Sequence, residues 1–94
     1  MGGIQRCNTA VSGNATNAGN ATANFPNSDP AAVVYLQASP TNVGNVTILG
    51  SGSTDGPELT AGSFAPPIGP INNLGQLQYR LATANDVVKW MIIR

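Results

Sequence analysis

Two carboxylates that lie close together in the chain come nearest to a catalytic or metal-binding arrangement. Asp55 and Glu58 belong to the stretch 50–58, which contains three glycines and one proline. A glycosidase pair needs a fixed separation of about 5–10 Å, and catalytic groups need a rigid support that a glycine-rich loop does not give. The stretch also lacks the residue spacing of a calcium-binding EF-hand loop. A tight turn therefore explains it better than a hydrolytic or calcium site.

Nucleophilic catalysis has even fewer candidates. The chain contains no histidine and a single cysteine, Cys7, so the commonest general base and metal ligand is missing and no intramolecular disulfide can form. Lys89 is the remaining candidate base, but it lies in the middle of a predicted strand without a distinctive neighbour. We interpret Cys7 as an unreactive thiol. The sequence predicts a protein that is not an enzyme and has no cofactor and no metal site.

The charge content narrows the classes of partner. Charged residues make up 9% of the 94 residues and the formal net charge is zero, whereas an ordinary domain has roughly 25% charged residues. A nucleic-acid binder needs a basic face and a polybasic membrane anchor needs clustered cations, so we expect neither partner. The N-terminus does not resemble a secretory signal, which favours synthesis in a reducing cytosol. Two alternatives explain the weakly charged surface: partner subunits cover it, or its abundant Asn, Thr and Ser side chains solvate it.

The first thirty residues have the composition of an extended arm. Asn-Ala-Thr occurs at 14–16 and again at 20–22, and Val11 and Phe25 are the only apolar side chains larger than Ala between residues 8 and 28. Such a segment buries too little apolar surface to offset its ordering entropy. We expect residues 1–30 to be an arm that is mobile or becomes ordered on a neighbouring subunit. A strand within its own domain is the third alternative.

Within this arm, Phe25 and Pro26 are the predicted anchor, and the Asn14 and Asn20 side chains are predicted to bond to a partner. Asn14, Asn20 and Asn45 also begin N-x-T sequons, which we attribute to the high Asn and Thr content rather than to glycosylation. Deletion of residues 2–24 is expected to leave the remaining domain folded and to weaken its attachment.

Residues 31–94 read as a β domain, because short apolar runs alternate with turn residues. The runs 31–38, 46–49, 74–82 and 87–93 predict strands, and 59–64 predicts an irregular strand. The sequence therefore predicts an all-β protein, a small antiparallel β-sandwich or open barrel, with the Asn/Ala/Thr-rich arm in front of it. A domain of this size is marginally stable alone, which favours a homo-oligomer or many copies in an assembly.

The alternation within these runs predicts their faces. Both faces of 87–93 are mostly apolar, so this strand is expected to be central or covered by a partner, and 83–86 is interpreted as a hairpin loop before it. The side chains predicted to face the core are Val34, Leu36, Val46, Ile48, Leu77, Tyr79, Leu81, Val88, Trp90 and Ile92.

The segment 33–50, V-V-Y-L-Q-A-S-P-T-N-V-G-N-V-T-I-L-G, resembles a pattern of small structural proteins of tailed bacteriophages. In that pattern a strand ending in Gln-Ala is followed by a Pro/Asn turn, a Gly and a strand ending in Gly. The segment 59–63 is similar to a later Leu–small–Pro–Gly turn, with Ala61 where Pro is usual. The segment 71–74 is similar to an I-x-N-L element, and 87–94 is similar to the closing strand. The resemblance covers about residues 32–94.

This resemblance implies a virion protein made in the host cytoplasm. The expected role is a capsid decoration or cement subunit that binds the major capsid protein or other virion proteins. The alternative is a module near the neck or fibres that contacts host-surface carbohydrate, with Tyr35, Tyr79 and Trp90 as aromatic candidates; the last two lie on apolar faces and fit the core better. The residues predicted as assembly contacts are Phe25, Pro26, Asn14, Asn20 and Asp55.

Overall fold

A computed structural model describes residues 10–17, 19, 21–50 and 52–94 of the chain. Asn20 and Cys7 lie outside the described residues. The described part contains a short 3-10 helix, Leu74–Gln76, and seven β-strands. The strands are β1 (Ala10–Thr16), β2 (Thr22–Asn24), β3 (Val33–Ala38), β4 (Val46–Gly50), β5 (Glu58–Leu59), β6 (Leu77–Leu81) and β7 (Val87–Ile93).

The strands form two antiparallel sheets that are not closed into a barrel. One sheet has three strands in the order β1-β7-β3, and the other has four in the order β2-β6-β4-β5. Their inner faces pack on each other through one cluster of buried side chains. The predicted all-β class is therefore confirmed, and of the two predicted architectures the sandwich is the one that forms. The strand β7 is the central strand of its sheet, as the two apolar faces of 87–93 predicted.

The core follows the predicted alternation. In β3, for example, Val34 and Leu36 are buried while Tyr35 between them is exposed, because successive side chains of a strand point to opposite faces of the sheet. Leu77 and Trp90 were also predicted to face the core; they are partly buried and pack against it. The predicted core residues that are buried are Val34, Leu36, Val46, Ile48, Tyr79, Leu81, Val88 and Ile92.

The described part of the expected N-terminal arm is not an arm in the structure, because it contributes a strand to each of the two sheets. The strand β1 pairs with β7 from Ala10 to Thr16, and β2 pairs with β6. Phe25 is 2% exposed and belongs to the core, with its ring 4.9 Å from that of Tyr79. The predicted division at residue 30 therefore does not separate an arm from a domain among these residues. Backbone ladder hydrogen bonds hold this segment, and they do not depend on its side chains.

Side-chain amides fix the chain between β2 and β3. The Asn73 Oδ1 atom accepts hydrogen bonds from the backbone N–H of Ser28 at 3.0 Å and of Gly75 at 2.8 Å. The hydroxyl of Ser28 in turn accepts from the backbone N–H of Leu74 at 2.9 Å. These bonds tie residues 25–30 to the short 3-10 helix. The high Asn content of the chain thus serves its own fold here.

The connection 82–86 is not the hairpin loop that the sequence predicted, because β6 and β7 belong to different sheets. Asp86 is 6% exposed, and its carboxylate accepts from the backbone N–H groups of Val43 and Gly44 at distances from 2.8 to 3.2 Å. Asn42 pairs with both backbone groups of Val87, each at 2.8 Å. These contacts direct the chain from one sheet to the other.

The predicted irregular strand 59–64 is only partly formed. The strand β5 covers Glu58–Leu59, and Phe64 makes an isolated bridge to Gln37 of β3. Two further bridges follow, from Ile68 to Val34 and from Ile71 to Ala31. The segment 64–71 therefore runs along the edge of β3 without a continuous ladder, as its prolines require.

Candidate functional site

An apolar patch lies on the outer face of the three-stranded sheet, the face turned away from the core. It consists of Tyr35, Phe64 and Met91, which are 38%, 67% and 41% exposed. We call these three residues the outer patch. The register of the strands explains their proximity: Tyr35 is paired with Met91, and Phe64 is bridged to Gln37, two residues further along β3.

Local structure forces these side chains outward. Since Val34 and Leu36 fill the core, Tyr35 between them must point to the other face of the sheet. In the same way Met91 points outward because its neighbour Ile92 points into the core. Phe64 is held beside β3 by two backbone hydrogen bonds: the N–H of Ala65 donates to the carbonyl of Leu36 at 2.9 Å, and that of Ala38 donates to Ser63 at 3.0 Å. The patch thus rests on backbone that the sandwich itself fixes.

The outer patch lines an open groove with a volume of about 660 Å³. Polar side chains from the adjoining row of the sheet, Asn14, Gln37 and Lys89, also line it. The Gln37 Nε2 atom donates to the carbonyl of Gly62 at 3.2 Å. An apolar floor with a few fixed polar groups is the usual composition of a binding surface. This arrangement can bind a partner by apolar contact and orient it by neutral hydrogen bonds.

The outer face of the four-stranded sheet is different. One row across it contains Thr22, Arg80, Thr47 and Glu58, in register from β2 to β5. The exposed large apolar side chains of the described residues are Val11, Tyr35, Val43, Phe64 and Met91, and none of them belongs to this sheet. The apolar groove is therefore a property of one face of the sandwich.

The five predicted assembly contacts are not brought together among the described residues. Asn14 is exposed on β1 and lines the groove. Phe25 was predicted as an anchor for a neighbouring subunit, which is wrong for this structure, because its ring is buried in the core of its own chain. Pro26 is exposed beside it, and Asp55 is exposed in a turn where it accepts from the N–H of Gly56 at 2.9 Å. Asn20 lies outside the described residues.

The sequence interpretation missed Phe64 and Met91. A signal for Met91 was present, because 87–93 is apolar on both faces and one of those faces must meet solvent or a partner when the other is in the core. Phe64 carried no such signal, since its exposure follows from the bridge to β3 that no periodic pattern announces.

The three aromatic candidates for sugar stacking differ in their exposure. Tyr35 is exposed in the groove, whereas Tyr79 is 5% exposed and donates its hydroxyl to the carbonyl of Thr16 at 3.2 Å. Burial raises the pKa of Tyr79 above its usual value of 10.0. Trp90 is partly buried, and its indole lies over Gly13. Tyr35 is thus the most exposed of the three, and Trp90 also lines the groove.

The carboxylates considered for catalysis are arranged as structural groups. Glu58 accepts a hydrogen bond from the Asn45 side chain at 3.3 Å, and Asp55 bonds within its own turn. Among the residues that the structure describes, no three Cys, Asp or Glu side chains are grouped to hold a metal ion. The same residues contain no helix long and apolar enough to cross a membrane.

Comparison of the chain with protein-family models, with curated proteins and with solved structures finds no match. The fold and the groove define the class of protein: a small two-sheet β-sandwich with an exposed apolar groove on one outer face.

Proposed function

We propose that the protein is a non-enzymatic structural subunit of a tailed-phage virion that binds the capsid shell as a decoration or cement protein. The observation that carries the proposal is the outer patch, three large apolar side chains exposed on a fixed sheet face. The virion setting rests on the resemblance of residues 32–94 to small phage structural proteins. The capsid partner is the major capsid protein or another protein of the shell.

The chemistry of the groove suits such docking. Covering apolar surface contributes roughly 25 cal/mol per Å², and aromatic side chains at the centre of an interface carry much of its binding energy. Asn14 and Gln37 supply neutral hydrogen-bonding groups at the margin, and Lys89 is the charged residue that lines the groove. Because the subunit binds only the assembled shell, its binding free energy adds to the stability of that shell.

The proposal is tested by binding the purified protein to particles that lack it. Substitution of Tyr35→Ser or Met91→Ser should weaken binding by about 30-fold, the equivalent of one interface hot spot of about 2 kcal/mol. Gln78→Ser, in the inner strand β6 of the other sheet, is the matched control and should leave the affinity unchanged. Equal affinity of all three variants would contradict docking through the outer patch.

Salt provides a second readout of the same interface. Since the groove is mainly apolar, retention of the protein on particles should change little between low salt and about 1 M, where screening shortens to about 3 Å. Release by moderate salt alone would argue against an apolar interface.

The number of copies per particle distinguishes a position on the shell from one at the neck or fibres. A shell decoration needs hundreds of copies per particle, and a neck or fibre protein needs only a few.

The alternative function is a neck- or fibre-associated module that contacts host-surface carbohydrate. The exposure of Tyr35 and Phe64 beside the amides of Asn14 and Gln37 favours this alternative, because aromatic rings stack on sugar faces and amides bond to sugar hydroxyls. A glycan array distinguishes the two functions. Specific sugar binding by the wild-type protein that is lost in Phe64→Ser would favour the fibre module over the capsid decoration.

A further inference from the structure

The edge strands of the two sheets are protected very unequally. Edge strands expose unpaired backbone N–H and C=O groups, and proteins usually shorten, cover or charge them. In the four-stranded sheet the edges β2 and β5 have three and two residues. In the three-stranded sheet, β3 is covered by the bridged segment 64–71. The remaining edge, β1, is different from all of these.

The strand β1 has seven residues, A-V-S-G-N-A-T, with no charged residue and no proline. Among the described residues it pairs on one side only, with β7. Alternate residues of an antiparallel strand direct their backbone hydrogen-bonding groups to each side, so the free side of β1 offers a row of donors and acceptors along its length. This edge has the features of a template for another strand.

We propose that β1 pairs antiparallel with β1 of a second copy of this chain, about a two-fold axis at Gly13. The two three-stranded sheets then form one continuous sheet in the order β3-β7-β1-β1-β7-β3. Residues whose numbers add to 26 face each other across the axis. Because this sum is even, inward residues pair with inward ones and the two cores stay on the same side; an odd sum would reverse one of them.

The sequence of β1 is self-complementary in this register. On the outer face Ser12 lies opposite Asn14 of the second copy, which pairs a hydroxyl with an amide. On the inner face Val11 lies opposite Ala15 of the second copy, and Gly13 pairs with itself. No like charges oppose each other, and the net charge of zero adds no long-range repulsion. A second copy is therefore a better fit than a strand of strongly charged or bulky sequence.

The inner side of this edge also has apolar surface left to cover. Val11 is 37% exposed and lies with Trp90 and Ile92 along an open groove that residues 27–29 and Arg94 also line. Gly13 leaves the space in which the Trp90 indole lies, since a Cβ at position 13 would be 2.6 Å from its Cζ2 atom. Pairing about Gly13 brings the two Trp90 side chains to either side of the axis and covers Val11 of each copy.

The first test is the dependence of mass on concentration in the purified wild-type protein, measured by sedimentation velocity. A monomer–dimer equilibrium is expected, and Ser12→Lys should weaken dimerisation by more than tenfold, because two lysines then lie close together across the axis. Val43→Lys is the matched control: it adds the same charge at a side chain that is 85% exposed in a turn and should leave the dimer intact. Equal thermal unfolding of both variants shows that folding is unaffected.

The register is tested by cross-linking in a Cys7→Ser background. Ser12→Cys protein mixed with Asn14→Cys protein should form mixed disulfides faster than either forms with itself, since opposed Cβ atoms are about 4.5–5.5 Å apart and diagonal ones about 7–8 Å. A wild-type protein that is monomeric at every concentration would overturn the proposal. A dimer that Ser12→Lys leaves unchanged would overturn it too, and so would the finding that residues 1–9 pair with this edge. None of these results depends on capsid binding, so the proposed function is judged separately.

Discussion

The segments 10–30 and 74–93 have the same arrangement of strands in the sandwich, but different interactions hold them there. Each contributes one strand to each sheet, and their strands are direct neighbours: β1 pairs with β7, and β2 with β6. The segment 74–93 supplies five large side chains to the core, namely Leu74, Tyr79, Leu81, Val88 and Ile92. The segment 10–30 supplies one large side chain, Phe25, together with Ala15.

The difference shows how a segment that is poor in apolar residues can still be part of a sandwich. Its strands pair with β7 and β6, whose side chains fill the core, so the segment is held by ladder hydrogen bonds without a large apolar contribution of its own. Two contacts join the connections between the strands: the Thr16 hydroxyl donates to the carbonyl of Asp86 at 2.7 Å, and the Asn85 N–H donates to Asn17 at 3.0 Å. The segment 10–30 therefore depends on 74–93 for its order.

Deletion of residues 2–24 is the strongest way to break this relation. If residues 1–30 were a detachable arm, the rest of the chain would stay folded after the deletion. The structure predicts instead that the cooperative fold is lost, because β7 and β6 each lose one of their two partner strands. Urea unfolding followed by circular dichroism checks this. A deletion variant with a normal sigmoidal transition would show that β1 and β2 contribute little to the sandwich.

Truncation of single core residues compares the two segments directly. Phe25→Ala should lower the free energy of unfolding by about 3–5 kcal/mol and Leu81→Ala by about 2–5 kcal/mol, because both side chains are almost fully buried. Val43→Ala, at a side chain that is 85% exposed, is the control and should change stability by less than about 0.5 kcal/mol. If Phe25→Ala matched that control in chemical denaturation, Phe25 would not belong to the core.

A smaller effect is expected where β1 meets Trp90. Gly13→Ala should destabilise the protein by about 1–3 kcal/mol, because the added Cβ would overlap the indole and force it to move. Gly50→Ala is a suitable control, since its Cβ would meet Ser53 at an ordinary 3.5 Å. Fluorescence of the single tryptophan follows the displacement, and unchanged emission with unchanged stability would contradict the close contact.

The smallest effect is the pH dependence due to Tyr79, whose hydroxyl joins the two segments by its bond to Thr16. Because burial raises its pKa in the folded protein, the folded state holds the proton more tightly than the unfolded state does. The resulting stability is complete below the unfolded pKa of about 10 and is lost as pH rises from there through the folded pKa. Thermal unfolding at alkaline pH should show this loss in wild type and in Tyr35→Phe, but less of it in Tyr79→Phe.

Part of the groove on the outer face could be predicted from the sequence, and part could not. The alternation in β3 already placed Tyr35 opposite Val34 and Leu36, and the two apolar faces of β7 indicated that one of them needs cover. Phe64 and Asn14 reach the same groove through strand pairing across long stretches of chain, from Phe64 to Gln37 and from Asn14 to Lys89. Such pairing is made by backbone groups, which are the same for every residue except proline, so the sequence does not encode it locally.

The sequence by itself determined the all-β class, the core faces of β3, β4, β6 and β7 and the weak charge of the surface, because these follow from which side chains alternate and how many are ionised. Only the tertiary structure decided that β6 and β7 lie in different sheets and that residues 10–30 complete both of them. Those outcomes depend on a few distant contacts: the buried Asp86 carboxylate on the 43–44 backbone, the Phe25 ring on Tyr79, and the space that Gly13 leaves for Trp90. Each is a contact between residues far apart in the chain, so it forms only when the fold brings those residues together.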